Sequence, residues 1–194
     1  MKAHFLAVVF ALSPVFMQSG QVDQDWLRRW QDAQTHRPAA LMEHSRIASA
    51  SEPGTPLIIS GLVVGPDGVT PQPNAIVFAY HTDDSGLYSE RPGLPWRLRG
   101  WARTDSAGRF EFETIRPGPY PNHRVPAHVH VTIESSAFGR QYGGLQFDDD
   151  SLVPAADREA SIAKGRFADV LTVVREGRTE HVQLNIKLKP RGDF

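Results

Sequence analysis

Two histidines, His128 and His130, stand two positions apart in a segment with the composition of a β-strand. Successive side chains of a strand point to opposite faces, so these two imidazoles share one face. Imidazole is a common ligand of transition metals, and two imidazoles on one face can bind a single ion. The alternative is a solvated strand face on which both side chains contact water. The histidine pair therefore indicates a metal site only if further donor side chains accompany it.

Two tyrosines upstream of the histidines are candidate oxygen donors. Tyr88 follows a glycine-containing turn, and Tyr120 lies in the proline-rich segment 117–121 just before the histidine strand. Taken singly, each tyrosine would be a packing or turn residue. A free phenol has a pKa of about 10, and a strongly charged cation lowers it. Zinc prefers Cys, His and carboxylate, whereas ferric iron suits two phenolates with two imidazoles. Tyr88, Tyr120, His128 and His130 together predict a ferric site.

Short strands separated by turns must position these residues. Strands are predicted at residues 57–64, 74–80, 100–104, 109–114, 125–135, 169–174 and 181–189. Turn sequences rich in Gly, Pro and Asp separate them, and hairpins are predicted around residues 105–108 and 176–178. Many short strands at close spacing are typical of a mainly β fold, an antiparallel β-sandwich.

The first 55 residues differ in character from the rest. In residues 1–20, Lys2 precedes an apolar run that is too short to cross a bilayer as a helix but suits a secretory signal peptide. We therefore expect export to the periplasm or the medium; the alternatives are a buried helix or a retained membrane tether. Residues 21–55 are predicted to form a helical segment, with a second short helical turn at residues 39–42 after Pro38, and a linker, followed by the β-sandwich domain at residues 56–194. Trp26 and Trp30 share one helix face, which favours packing or a homodimer contact.

Composition narrows the function classes. The 194 residues carry a formal net charge of −1, so no large basic surface is available for nucleic acid or anionic lipid. The absence of cysteine excludes disulfides, zinc–thiolate sites and cysteine nucleophiles. The acidic run at residues 148–150 is predicted to be a solvated loop, with a calcium site as the alternative.

A series of motifs surrounds the four donor residues in a fixed order: Gly61-Leu62-Val63, Asn74-Ala75-Ile76-Val77, Asp84-Ser85-Gly86-Leu87-Tyr88-Ser89, Arg99-Gly100, Thr104-Asp105-Ser106-Ala107-Gly108-Arg109-Phe110, Thr114-Ile115-Arg116-Pro117-Gly118-Pro119-Tyr120 and Pro126-Ala127-His128-Val129-His130. In this order the motifs resemble those of the intradiol ring-cleavage dioxygenases, which include catechol 1,2- and protocatechuate 3,4-dioxygenases. In length the chain is similar to the compact exported members of that family.

The resemblance implies a transthyretin-like (prealbumin-like) sandwich, with Tyr88, Tyr120, His128 and His130 as ligands of a non-haem Fe(III). It implies a catechol-type substrate and O2, and cleavage of the ring between its two hydroxylated carbons to a muconate-type dicarboxylate. Tyr120 matches the family tyrosine that leaves the metal and takes up a substrate proton.

Two positions depart from the family pattern. Val125 stands where the family has an arginine that stabilises the carbanion-like form of the substrate, and Arg124 precedes it. Because a one-residue shift on a strand reverses the side chain's face, Arg124 can take this role only if the chain is irregular there. Gly144 stands at the place of a family glutamine, for which Gln141 and Gln146 are candidate replacements.

Two other functions remain open from the sequence. A non-catalytic transthyretin-like binding module would share the strands and turns but would give no reason for the four donors to meet. An iron-binding relative with the altered arginine and glutamine positions would catalyse a different oxygen reaction.

Overall fold

A computed structural model of the chain describes residues 22–90, 95–121 and 124–194. Its elements in chain order are α1 (Gln24–Thr35), β1 (His44–Arg46), β2 (Pro56–Val64), β3 (Ile76–His81), β4 (Leu98–Arg103), β5 (Arg109–Ile115), β6 (His128–Ser135), β7 (Gly139–Phe147), α2 (Ala155–Ala163), a 3-10 turn (Gly165–Phe167), β8 (Val170–Leu171), β9 (Val174–Glu176) and β10 (Thr179–Lys187). The prediction of a mainly β chain with an N-terminal helix is confirmed. The predicted signal peptide at residues 1–20 lies outside the described residues. None of the described helices is long and apolar enough to span a membrane.

The strands form two five-stranded sheets. The first sheet has the order β1-β5-β2-β10-β9 and the second the order β4-β3-β6-β7-β8. Most neighbours are antiparallel, but β1 with β5, β2 with β10, and β7 with β8 are parallel. The prediction of a wholly antiparallel sandwich is therefore wrong at these three pairs. Turn sequences predict pairing only between strands that follow one another in the chain. Strands β2 and β10 are separated by more than half of the chain, so their pairing has no such signal.

Two further local predictions differ from the structure, and one is confirmed. The turn at residues 105–108 is present, with the Asp105 carboxylate accepting the amides of Ala107 and Arg109. It forms no hairpin, because β4 and β5 belong to different sheets. The helical turn expected near residues 39–42 is absent, strand β1 lies within the segment predicted as helix and linker, and β7 and α2 were not predicted. The hairpin at residues 176–178 is confirmed by the antiparallel pairing of β9 with β10.

Strand β6 separates two environments. Val129, Val131 and Ile133 point inward, where side chains of both sheets form the main apolar core. The alternate residues face outward, toward a second cluster made largely of aromatic side chains. Burial of the inner face fixes the register, and a fixed register places both histidines on the outer face.

Helix α1 covers the outer face of the second sheet. The Asp23 carboxylate caps its first turn by accepting backbone amides. The indole of Trp26 donates to the Tyr80 hydroxyl at 2.7 Å, and the indole of Trp30 donates to the Thr132 hydroxyl at 2.9 Å. The packing role predicted for the two tryptophans is confirmed. A homodimer, with these two side chains as its contact, stays a prediction.

His81, at the end of β3, links the two sheets. It is completely buried, donates from Nδ1 to the Thr82 carbonyl at 2.7 Å, and accepts at Nε2 from the Thr114 hydroxyl at 2.7 Å. Burial lowers the pKa of His81 to about 4, so the imidazole is neutral in the folded protein at pH 7. Thr82 opens the segment that carries Tyr88, so this link fixes the base of that segment.

We expect the burial of His81 to make the metal-free protein acid-sensitive. Between about pH 6.5 and pH 4 the unfolded imidazole binds a proton and the folded one does not, so the free energy of unfolding falls as the pH falls. The loss for this one group approaches about 3 kcal/mol. Urea unfolding of the wild type and His81→Gln from pH 7 to pH 4.5 checks this. A difference in unfolding free energy between the two proteins that stays constant with pH would contradict this expectation.

Candidate metal centre

Strand β6 presents His128 and His130 on the outer face of the second sheet. His130 lies opposite Tyr80 of β3 and Gly144 of β7. The Tyr80 ring stacks on the His130 ring at a centroid distance of 4.6 Å and on the Trp96 ring at 3.7 Å. This stack restricts rotation of the His130 ring.

The two tyrosine-bearing segments pack directly against each other. The Gly118 amide donates to the Asp83 carbonyl at 2.8 Å, and the Thr82 hydroxyl donates to the Gly118 carbonyl at 2.8 Å. A Cβ atom on Gly86 would lie 2.1 Å from the Pro119 carbonyl oxygen, and one on Gly118 would lie 2.3 Å from the Asp84 carbonyl oxygen. Only glycine permits such backbone contact, so these two glycines set the spacing between the segments.

The structure brings the four predicted donor residues together. The Tyr88 hydroxyl lies 2.9 Å from the Tyr120 hydroxyl, 3.3 Å from His128 Nε2 and 2.7 Å from His130 Nε2. The Tyr120 hydroxyl lies 3.4 Å from His128 Nε2, and the two Nε2 atoms are 3.1 Å apart. Four side chains from three separate segments thus direct their donor atoms at one point.

Each histidine has a partner on its other ring nitrogen. His128 Nδ1 donates to the Pro126 carbonyl at 2.7 Å, and His130 Nδ1 contacts the Tyr142 hydroxyl. These contacts leave Nε2 of both rings facing the tyrosines, as metal-binding histidines require. Tyr142 was not predicted. Its only sequence signal is its place on β7, where alternation puts it on the same face as Gly144.

Burial keeps all four donor groups neutral without a cation. It raises the pKa of Tyr88 well above its ordinary value and also raises that of Tyr120. It lowers the pKa of His128 and, more strongly, that of His130. A cation bound between them would instead lower the pKa of both tyrosines, because its charge favours the phenolates.

The donor set fits a trivalent or similarly hard metal ion. Ligand atoms about 2.0–2.2 Å from one ion, at angles near 90°, are about 3 Å from each other, which matches the distances of 2.7–3.4 Å between these donors. Across the described residues no three His, Cys, Asp or Glu side chains come together in a way that suits a metal. The two phenol oxygens therefore complete the set, and two phenolates suit a hard ion such as Fe(III).

The remaining predicted residues have distinct positions. Arg124 is exposed, and β6 begins only at His128, so the preceding segment is irregular and strand alternation does not apply to this arginine. Gln141 is buried, and its amide is bound to the backbone of Phe138 and Lys189. Gln146 lies opposite His128. Of the two glutamines, Gln146 shares the histidine face, because Gln141 alternates to the other side.

The acidic run at residues 148–150 is an organised turn, which differs from the solvated loop that was predicted. Asp149 binds Arg116 at 2.7 Å, and Arg116 in turn lies 4.3 Å from the centre of the Phe147 ring. Asp150 accepts the backbone amide of Ala127. The turn therefore contacts the chain on either side of the Tyr120 segment.

Comparison with known proteins places this arrangement in a family. Residues 34–190 match the family model described as Dioxygenase. The sequence is 28% identical to catechol 1,2-dioxygenase 2 of Acinetobacter lwoffii over 153 residues, and 29% identical to the protocatechuate 3,4-dioxygenase beta chain of Burkholderia cepacia over 176 residues. The chain belongs to the intradiol ring-cleavage dioxygenase family.

Coverage differs between these relatives of the intradiol family. The Acinetobacter match covers 62% of this chain and 54% of that protein, so the chain spans about half of its length. The Burkholderia match covers 77% of this chain and 73% of that protein.

Solved structures of intradiol dioxygenases share the fold. The dioxygenase domain of a carbohydrate-binding fusion protein from Streptomyces sp. SirexAA-E superposes with a TM-score of 0.60 at 21% identity, covering 78% of this chain and 91% of that one. The 3-chlorocatechol 1,2-dioxygenase of Rhodococcus opacus 1CP superposes with a TM-score of 0.60 at 24% identity, covering 80% of this chain and 68% of that one.

The close packing at Gly86 generates a prediction. Gly86→Ala adds a methyl group against the Pro119 carbonyl and forces alanine to a φ of +81°, so we expect a loss of about 3 kcal/mol in unfolding free energy. Gly177→Ala is the matched control, with a φ of +62° and open space around its Cβ, and we expect it to cost about 1 kcal/mol. Urea unfolding measures both. Equal losses would mean that the contact between the two segments is loose.

Proposed function

We propose that this protein is a non-haem ferric intradiol dioxygenase that uses O2 to cleave a catechol-type ring between its hydroxylated carbons, giving a muconate-type dicarboxylate. The observation that carries the proposal is the convergence of Tyr88, Tyr120, His128 and His130, with donor atoms 2.7–3.4 Å apart. Family membership supports it. We also propose that residues 1–20 act as a signal peptide that directs export of the protein.

The four donor residues divide into an inner and an outer part. Fe(III) bound there would supply a Lewis acid that takes both catechol oxygens and makes the ring electron-rich. Tyr88 lies within 3.3 Å of the other three donor atoms and suits a ligand that stays in place. Tyr120 contacts Tyr88 and His128 at the edge of the set. As a phenolate, the form that a bound cation would favour, Tyr120 would accept a proton from the incoming substrate.

Aromatic side chains protect the inner side of the centre. Tyr80, Trp96 and Trp26 form a continuous layer behind His130, and Tyr142 meets the Trp26 ring edge-on at 5.6 Å. The layer keeps bulk water away from the donor atoms, which strengthens charge interactions between substrate, ligands and ion. Substrate therefore reaches the centre from the Tyr120 and His128 side.

The proposal predicts iron binding that depends on the four donors. Purified protein reconstituted with ferric iron should be red-brown from tyrosinate-to-iron charge transfer and should consume O2 with a catechol. His130→Ala should lose iron retention, because it removes one of four ligands. His44→Ala is the control, since His44 is half-exposed and pairs with Glu113 on the other sheet. Iron content and oxygen uptake measure both variants.

Three outcomes would count against the proposal. Colourless wild-type protein that takes up no iron would contradict the metal centre and favour the non-catalytic binding module. Iron retention by His130→Ala would contradict the ligand assignment. A product other than a ring-opened dicarboxylate would favour the iron-binding relative with a different oxygen reaction.

Arg124 is assigned the electrostatic role that the family arginine fills. We expect Arg124→Ala to keep iron and colour but to lower turnover about a hundredfold, because a fixed guanidinium stabilises negative charge on the bound substrate. Arg109→Ala is the control, since Arg109 is exposed on β5 of the other sheet. Steady-state oxygen uptake measures the effect. Normal turnover in Arg124→Ala would show that this arginine has no electrostatic role.

A further inference from the structure

The acidic turn contacts the chain immediately before the first histidine of the centre. Asp150 Oδ2 accepts the backbone amide of Ala127 at 2.8 Å. Ala127 is 3% exposed, so its amide has little access to water and depends on this acceptor. His128, the next residue, begins β6.

The acceptor acts on a peptide group that also binds His128. The Ala127 N–H and the Pro126 carbonyl belong to the same planar peptide unit. Its N–H donates to Asp150, and its carbonyl oxygen accepts from His128 Nδ1 at 2.7 Å. The carboxylate, the peptide unit and the imidazole therefore form one chain of hydrogen bonds. In such a chain each bond polarises the next and strengthens it.

We propose that Asp150 is a positioning residue for His128, acting through the peptide unit between Pro126 and Ala127. It holds the peptide carbonyl in the orientation that receives Nδ1–H, and so keeps the Nε2 lone pair directed at the metal. Metal-binding histidines commonly donate their second nitrogen directly to a carboxylate or carbonyl. Here the carboxylate reaches the histidine through an intervening peptide. The effect on metal binding rests on the function proposed above, whereas the effect on the tautomer does not.

The carboxylate of Asp150 is itself held in place. Its Oδ1 atom accepts the Leu152 amide at 2.9 Å, and the Arg158 guanidinium donates to the Asp150 carbonyl at 2.6 Å. Because one contact holds the carboxylate and the other holds the backbone of the same residue, the side chain loses little further freedom when it binds Ala127. The interaction is therefore preorganised before any metal arrives.

The two histidines have different outer partners. His130 Nδ1 contacts the Tyr142 hydroxyl, a neutral group. The chain of hydrogen bonds that starts at His128 Nδ1 ends instead at the Asp150 carboxylate. Negative charge directed along this path makes the His128 imidazole the more electron-rich donor. Substitution of Asp150 should therefore affect His128 selectively.

The first test uses metal-free protein and NMR of the imidazole nitrogens. In the wild type His128 should be a single tautomer protonated at Nδ1. Asp150→Ala should give a mixture with the Nε2-protonated form and leave His130 unchanged. Asp148→Ala is the matched control, because Asp148 lies in the same turn and its carboxylate accepts the Val173 amide at 3.2 Å. Asp150→Asn serves if the alanine variant does not fold; it keeps one acceptor oxygen but no charge and should give a smaller change.

The second test uses protein loaded with ferric iron and challenged with EDTA. Asp150→Ala should release iron roughly 10–100-fold more readily than the wild type, with a shifted charge-transfer band. Asp148→Ala should match the wild type in both readouts, even where its thermal stability falls. An unchanged tautomer in Asp150→Ala, or equal iron release from the two variants, would overturn the positioning role. Failure of the wild type to bind iron would contradict the proposed function, and the tautomer measurement would still decide the role of Asp150.

Discussion

The structure is organised around four polar donor groups that meet about 3 Å from one another in a partly buried place, where water reaches them only in part. Buried hydroxyl and imidazole groups are costly unless each has a partner. Here they partner one another, with Tyr88 in contact with Tyr120, His128 and His130. Such a cluster needs rigid support from outside, because relaxation of any one group would leave another unsatisfied.

That support comes from the layered arrangement of the chain. The inward residues of β6 lie in the core between the sheets, so the histidines on its other face cannot slip in register. The tyrosine segments are joined by backbone contacts that only glycine allows at residues 86 and 118. Helix α1 closes the outer face through the indoles of Trp26 and Trp30. Apolar burial therefore supplies the free energy that keeps a polar cluster in place.

Much of the site could be predicted from the sequence because its chemistry is local. His128 and His130 share a face by strand alternation, and the proline-rich segment before them indicates a rigid turn at Tyr120. Two partners of this segment lie outside the motif and were not predicted. Tyr142 lies on a strand that two glycines at residues 143 and 144 make hard to recognise, since glycine has low β propensity. Asp150 belongs to an acidic run, which usually indicates a solvated loop. The parallel pairing of β2 with β10 has no local signal at all.

The β2–β10 pair also determines the order in which the domain can fold. Strand β2 occupies residues 56–64, and its parallel neighbour β10 occupies residues 179–187. The first sheet is therefore incomplete until a segment more than a hundred residues downstream has been made. Contacts of such long range slow folding, because loop closure must precede any gain from pairing. On the ribosome this domain would remain without its central strand pair until synthesis has passed residue 187. Because the inward side chains of β6 pack in the core between the two sheets, the strand that carries the histidines would also lack its complete packing until then.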